Sequence, residues 1–139
     1  LTQNDADLFT RYCSYVWQVP SLACMFLSSS GAIHFVRSQG LTHQHLLHLK
    51  ALGLVDTGSE TQLPIENEPV TLLYHGRTLK IRRKDAEPPV QWRKRKLVES
   101  WILTDVGNEL YTISGAEPNE HFYQAFVESL KDDELESVN

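Results

Sequence analysis

The sequence predicts an α+β domain in which helices surround a small antiparallel sheet or hairpin, closed by an amphipathic helix at the C-terminal end. Apolar residues at helical spacing open and close the chain. Between them, two runs of β-forming residues flank a short turn, as in a hairpin. Hydrophobic residues make up 41% and charged residues 22% of 139 residues, which is ordinary for one globular domain.

The first helix is predicted from its cap and its periodicity. Thr2 and Asp5 form a capping-box pattern, with Asp in place of the usual Glu. Pro20 ends the segment, because proline cannot continue the helical hydrogen-bond ladder. The apolar residues at helical spacing are Ala6, Phe9, Cys13, Val16 and Trp17.

Two short elements follow. The apolar run 22–27 is consistent with a strand that ends in the loop Ser28–Ser30, and equally with a buried helical turn. Residues 32–39 suit a short helix that Gly40 closes in a left-handed conformation.

The segment after Gly40 gives the clearest helical pattern. Thr42 is a suitable cap, and Gly53 stands where a helix-ending glycine belongs. Between them lies an apolar stripe of Leu46, Leu49 and Leu52, with Leu47 on its flank.

A hairpin is predicted next, followed by a further strand and two helices. Residues 70–74 and 78–82 flank a His-Gly-Arg turn, and residues 97–103 are again strand-like. Thr104 caps a short helix with acidic residues in its first turn. Pro118 suits the first turn of the last helix. We expect one domain over residues 1–130 and a frayed acidic tail over 131–139.

Two stretches resemble winged helix-turn-helix domains. "LLHLKALGLV" at 46–55 is similar to the Leu-Gly-Leu end of the helix before the wing, and "ILTDVGNEL" at 102–110 is similar to the segment that closes such domains. Together with "NDADLFTRYCSYVW" at 4–17, the chain resembles the C-terminal part of a bacterial family classed as a domain of unknown function. The resemblance implies a winged-helix-like fold and brings no known activity.

The helix before the predicted wing lacks the chemistry of a DNA-reading helix. Such helices offer Arg, Lys, Asn or Gln to base edges in the major groove. Here one lysine and one glutamine stand among histidines: His43, Gln44, His45, His48 and Lys50. We therefore expect a poor groove reader.

Charge is strongly segregated along the chain. Residues 77–96 hold nine of the thirteen basic residues against two acids, a net charge of +7. The whole chain is −5, so the remainder is −12, and residues 117–139 alone contribute −6. Such asymmetry bears on partners rather than on fold.

The basic segment has two interpretations. It is a wing that grips phosphates, with an aromatic ring available to stack on a base, or a solvated loop whose charges face the acidic terminal helix. The candidate polyanion-binding residues are Arg82, Arg83, Lys84, Trp92, Arg93, Lys94, Arg95 and Lys96.

Metal and catalytic chemistry are not expected. His45 and His48 share a helix face near His43 and His34, but zinc requires three or four ligands and no cysteine is suitably spaced. Ser28–Ser30 beside Gly31 reads as a flexible turn rather than a nucleophile site. We expect no cofactor, no metal site and no enzymatic activity.

Cysteine usage and the absence of a signal pattern indicate the compartment. Cys13 and Cys24 are predicted to be small buried residues in a reducing environment, although a bridge between them stays open. No apolar run approaches the roughly 18 residues of a membrane span. The chain opens at Leu1 on a helical pattern, so we expect a cytoplasmic fragment of a longer bacterial protein.

These observations leave three functions in order of preference. The first is a non-catalytic interaction module that mediates protein–protein contact or self-association within a larger bacterial protein. The second is a nucleic-acid-binding winged helix that uses the basic segment. The third is an enzyme of unknown type.

Overall fold

The structure, a computed structural model, describes residues 1–19, 24–57, 65, 68–84, 98–133 and 135–138. It is a mixed α+β fold, as the sequence predicted. The helices are α1 (Gln3–Cys13), α2 (Ser30–Ser38), α3 (His43–Ala51), α4 (Asp105–Ile113) and α5 (Glu120–Ser129), and a 3₁₀ turn covers Leu130–Asp133. The strands are β1 (Trp17–Gln18), β2 (Cys24–Ser28), β3 (Val55–Asp56), β4 (Val70–Tyr74), β5 (Arg77–Arg83), β6 (Val98–Ser100), β7 (Ile102–Leu103) and β8 (Leu135–Val138).

Six of the strands form one sheet in the order β6-β2-β1-β4-β5-β8, and every pairing is antiparallel. β3 and β7 form a separate two-stranded ladder. Because side chains alternate across a strand, β5 directs Leu79 and Ile81 into the core and Thr78 and Lys80 to solvent. The sheet therefore has one packed face and, over β4 and β5, one open face.

The core lies between this sheet and α5. The ring of Trp17 is fully buried, 4.4 Å from the ring centre of Phe126 and 5.0 Å from that of Tyr74. Phe122 joins the same cluster against Tyr15, with 5.0 Å between ring centres. An aromatic core of this kind buries a large apolar area for each residue, so it accounts for much of the stability of a chain this size.

α2 and α3 are consecutive helices joined by a short connection. Ser29 caps α2 by accepting a hydrogen bond from Ala32, so the serine run begins a helix instead of forming the predicted loop. A four-residue connection that includes Gly40 leads to Thr42, the predicted N-cap of α3. Short glycine-containing turns of this kind join the helices of helix-turn-helix units.

The β3–β7 ladder ties the end of α3 to the start of α4. Val55 is paired with Leu103, and Thr104 then caps α4, as predicted, by accepting a hydrogen bond from Gly107. The Thr104 hydroxyl also donates to the Gly53 carbonyl, 2.6 Å away. The two segments that resemble winged-helix sequences are therefore adjacent in space.

The predicted hairpin forms with a shorter turn and does not project as a free wing. The two residues between β4 and β5 are His75 and Gly76, both with positive φ, at +48° and +81°. Such turns match the natural twist of two strands. Because β4 pairs with β1 and β5 with β8, the hairpin lies inside the sheet.

Three further expectations differ from the structure. Residues 135–138 form β8 on β5, where the sequence indicated a frayed tail. Asn119 caps α5, so Pro118 precedes the helix instead of occupying its first turn. The strand expected over 97–103 is interrupted at Trp101, whose φ of +52° separates β6 from β7. The Tyr12 hydroxyl donates to the Trp101 carbonyl at this break.

Candidate functional site

The exposed side of α3 has an apolar centre. Leu47 is 43% exposed, and Ala51, one turn further along, is also exposed. The opposite side of the helix carries Leu49, which is fully buried, with Leu46 and Leu52 half-buried beside it. The predicted leucine stripe therefore packs inward and leaves Leu47 facing outward.

Polar side chains surround this centre. At 3.6 residues per turn, His43 and Lys50 lie on one side of Leu47, and Gln44 and His48 lie on the other. All four are exposed. Apart from its histidines, α3 carries one ionisable side chain, that of Lys50, and it has no acid.

The histidines of α3 make local structural contacts. His48 Nε2 lies 2.7 Å from a carboxylate oxygen of Asp5, which connects α3 to α1 and lowers the pKa of that carboxyl. His45 Nδ1 accepts a hydrogen bond from the Thr42 backbone at the start of the helix. His43 makes an edge-on contact with Trp101. Each ring thus fixes the position of α3.

No metal centre is present in the part of the chain that the structure describes. Within these residues, no three His, Cys, Asp or Glu side chains are grouped closely enough to hold an ion. His45 and His48 have separate contacts, with Thr42 and Asp5, instead of converging.

The candidate polyanion-binding residues fall into two groups. Arg82, Arg83 and Lys84 lie at the end of β5. Trp92, Arg93, Lys94, Arg95 and Lys96 lie outside the described residues. Polyanion binding therefore stays a prediction for both groups.

Two arginines of the basic segment contact acids of the C-terminal region. Arg82 Nε lies 2.7 Å from Glu136 on β8, and an Arg77 nitrogen lies 2.8 Å from Glu120 on α5. The Arg77 guanidinium also covers the ring of Tyr123, 3.8 Å from its centre. These contacts correspond to the interpretation in which basic side chains face acidic ones.

The serines at positions 28–30 make structural contacts. The Ser28 hydroxyl lies 2.9 Å from that of Ser100 across the β2–β6 ladder, and Ser29 caps α2. His34 is exposed on α2 and lines an open groove of about 790 Å³ between α2, α5 and β8. Within the described ranges, no hydrogen bond joins His34 to any of the three serines.

Cys13 and Cys24 are free, buried thiols, as predicted. Burial raises the pKa of Cys13 to about 12 and also raises that of Cys24. Both side chains therefore stay protonated near neutral pH, which is the state of a structural rather than a nucleophilic cysteine.

The sequence predicted α3 but not the exposed apolar centre formed by Leu47 and Ala51. The available signal was the position of Leu47 off the inward stripe, which places it on the opposite side of the helix. The pairing of β8 with β5 carried a weaker signal, because four residues are too few for a clear alternating pattern.

No helix in the described ranges combines the length and apolar character that crossing a membrane requires. The chain is thus a mixed α+β domain whose third helix, α3, has an exposed and partly apolar side. The sequence model of the family described as Protein of unknown function (DUF2806) matches residues 1–127, and the chain belongs to that family. No curated protein and no solved structure matches it.

Proposed function

We propose that the chain is a non-catalytic interaction module that binds a protein partner through the exposed side of α3. The observation that carries this proposal is the apolar centre of Leu47 and Ala51 within a polar border. Protein interfaces commonly combine an apolar core, depleted in charge, with a polar rim. A helix that reads DNA would present more hydrogen-bonding and cationic groups at this position.

The charge of α3 indicates the kind of partner. α3 itself carries Lys50 and no acid, and the nearby Asp5 carboxylate of α1 is paired with His48. A second copy of the same surface would bring like charges together in a symmetric dimer. We therefore propose a different protein surface, one with an apolar depression bordered by carboxylates.

The winged-helix interpretation belongs to the same proposal. It is supported by the α2–α3 pair, by the β3–β7 ladder after α3, and by α4 beginning at the Thr104 cap. On this interpretation, the β4–β5 hairpin stands in place of a simple wing. We propose further that the domain is bacterial and cytoplasmic.

A capture experiment with matched baits tests the partner surface. The chain, Leu47→Glu and Ile113→Glu are immobilised and exposed to lysate of the source cells, and the retained proteins are quantified by mass spectrometry. Ile113 is a suitable control because it is an exposed apolar residue on α4, at 76% exposure. We expect a protein that the chain and Ile113→Glu retain and that Leu47→Glu loses.

Retention alone does not support the proposal, since immobilised proteins capture unrelated ones. The proposal stands if the captured protein, once purified, binds the chain in solution and depends on Leu47. It is overturned if the three baits retain the same proteins.

One observation favours a second candidate, nucleic-acid binding. Lys80 and Arg82 alternate along β5, so they share the open face of the sheet, and Lys84 follows directly after the strand. Cations on one face are suited to phosphate contacts, which would be salt-dependent and largely independent of sequence.

A fluorescence-anisotropy titration with labelled duplex and single-stranded DNA tests this candidate. Binding at low salt that weakens with added salt and with a Lys80→Ala, Lys84→Ala double variant would support it. No binding at low salt would exclude it. The Leu47→Glu variant separates the candidates, because it should leave any such binding unchanged.

A further inference from the structure

β8 lies at one end of the six-stranded sheet. It pairs with β5 along one edge, and no strand in the described ranges pairs with its other edge. An unpaired edge presents a row of backbone N–H and C=O groups that point away from the sheet. β8 contains no proline and no lysine, the residues that commonly prevent further pairing at an edge. The outer edge of β8 can therefore accept another extended strand.

The open groove between α2, α5 and β8 lies beside this edge. Its volume is about 790 Å³, and its lining includes the consecutive residues Leu135, Glu136 and Ser137. Successive side chains of a strand point to opposite faces, so a groove that reaches all three follows the edge of β8 and not one of its faces. Because β5 occupies the other edge, the groove gives access to the unpaired backbone.

The packed face of the sheet is incompletely covered at β8. Ser137 lies opposite Ile81 in the ladder, so both side chains are on the face that packs against α5. Ile81 is fully buried, whereas Ser137 is exposed. The groove beside Ser137 is lined by apolar side chains, among them Phe35 of α2 and Leu130 at the end of α5. An apolar side chain on an added strand would cover this part of the face.

The opposite face of β8 indicates the charge of such a strand. Glu136 lies on that face opposite Arg82, and its side chain stays 34% exposed beside this ion pair. An added strand would place a side chain on the other side of Glu136, where a cation is favoured over an acid. The groove itself selects neither sign, because its charged side chains are of both kinds: Lys84, Lys131, Glu128 and Asp132.

We propose that the outer edge of β8 binds an extended segment of a partner protein, which adds a strand to the sheet. The segment alternates apolar residues, which enter the groove, with basic residues, which lie beside Glu136. Peptides bind exposed sheet edges in this way, with affinity from main-chain hydrogen bonds and specificity from pockets for alternate side chains. The proposal does not depend on a partner at α3.

A fluorescence-anisotropy titration with defined peptides tests the proposal. The probe is a labelled peptide of about six residues, enough to span β8, in which valine alternates with lysine. Two further probes carry backbone N-methyl groups, one at the valines and the other at the lysines. Alternate N–H groups of a strand point to opposite edges, so only one of these sets can face β8. We expect one methylated probe to bind like the parent peptide and the other at least about fivefold more weakly.

Ser137→Arg and Thr71→Arg are matched variants of the chain. Ser137→Arg places a long side chain in the groove and should weaken binding of the unmethylated probe at least about fivefold. Thr71 is exposed on β4, which β5 separates from β8, so Thr71→Arg adds the same charge and should leave binding unchanged.

Three results would overturn the proposal: no binding to the parent chain, equal binding by the two methylated probes, or equal binding by the two variants. Sedimentation of the chain alone detects a different occupant of the same edge. A dimer that the peptide does not dissociate would assign the edge to a second copy and would also overturn the proposal.

Discussion

Gly107 lies where the first turn of α4 crosses the backbone that follows α3. A Cβ atom at this position would overlap the Leu54 carbonyl oxygen and press on the Leu103 side chain. We predict that Gly107→Ala lowers the free energy of unfolding by about 1–3 kcal/mol, because the overlap exceeds the gain of about 1 kcal/mol in helix propensity. Denaturant unfolding measures the change.

Val106→Ala provides the control for this prediction. Val106 is the preceding residue of the same helix and is 55% exposed, so its truncation should change stability by less than about 0.5 kcal/mol. If Gly107→Ala were as stable as the parent chain, the close approach of α4 to Leu54 would be wrong.

His75 gives the fold a dependence on pH. The ring is half-buried between Tyr74 and Tyr111, and its Nε2 donates to the Cys13 carbonyl at 3.1 Å. Burial lowers the pKa of His75 below the ordinary 6.5. Below pH 6.5 the unfolded chain thus binds more protons than the folded one. This contribution to stability falls as the pH drops through 6.5, and the loss is complete below the folded-state pKa.

We predict that His75→Asn reduces the dependence of the unfolding free energy on pH below about 6.5. Asparagine tolerates the positive φ of +48° at the turn and does not titrate. Unfolding free energies at several pH values between about 5 and 8 measure the slope, which spans the range where histidine changes charge. Parallel profiles for the parent and His75→Asn would refute the prediction.

At the scale of elements, β8 depends on one buried side chain. We predict that Leu135→Ala lowers the free energy of unfolding by about 2–5 kcal/mol, the usual cost of emptying a buried leucine site. Ser137→Ala, at an exposed position of the same strand, should cost little. Thermal or denaturant unfolding compares the two. A cost for Leu135→Ala no larger than that for Ser137→Ala would indicate that the segment is frayed, as the sequence suggested.

The elements that the sequence predicted are those with a local physical cause. Thr2, Thr42 and Thr104 each begin a helix, because a cap is decided by the residues next to it. Residues 70–74 form β4 with the predicted limits, because β-forming residues there run into a turn with positive φ.

The structure differs from the sequence prediction where contacts between residues far apart in the sequence determine the conformation. The hairpin is part of a wide sheet because β1 pairs with β4 and β8 pairs with β5. Neither pairing can be predicted from the residues of the hairpin alone. At the candidate site, the exposure of Leu47 could not be predicted from the sequence, because the burial of a helix face depends on what packs against it. The sequence therefore predicted that these residues form a helix, but not which of their side chains are exposed.

At the scale of the whole molecule, the segregated charges along the chain are partly brought together by the fold. The ion pairs Arg77–Glu120 and Arg82–Glu136 join the basic segment to α5 and β8. Both pairs are exposed, so each contributes little to stability, at most about 1 kcal/mol.

Binding through α3 is measured by isothermal titration of the purified captured partner into three chains. We predict equal dissociation constants for the parent chain and Ile113→Glu. For Leu47→Glu we predict binding at least about tenfold weaker, since the burial of one leucine is worth about 1.5–3 kcal/mol. An unchanged dissociation constant for Leu47→Glu would contradict the assignment of α3 as the contact surface.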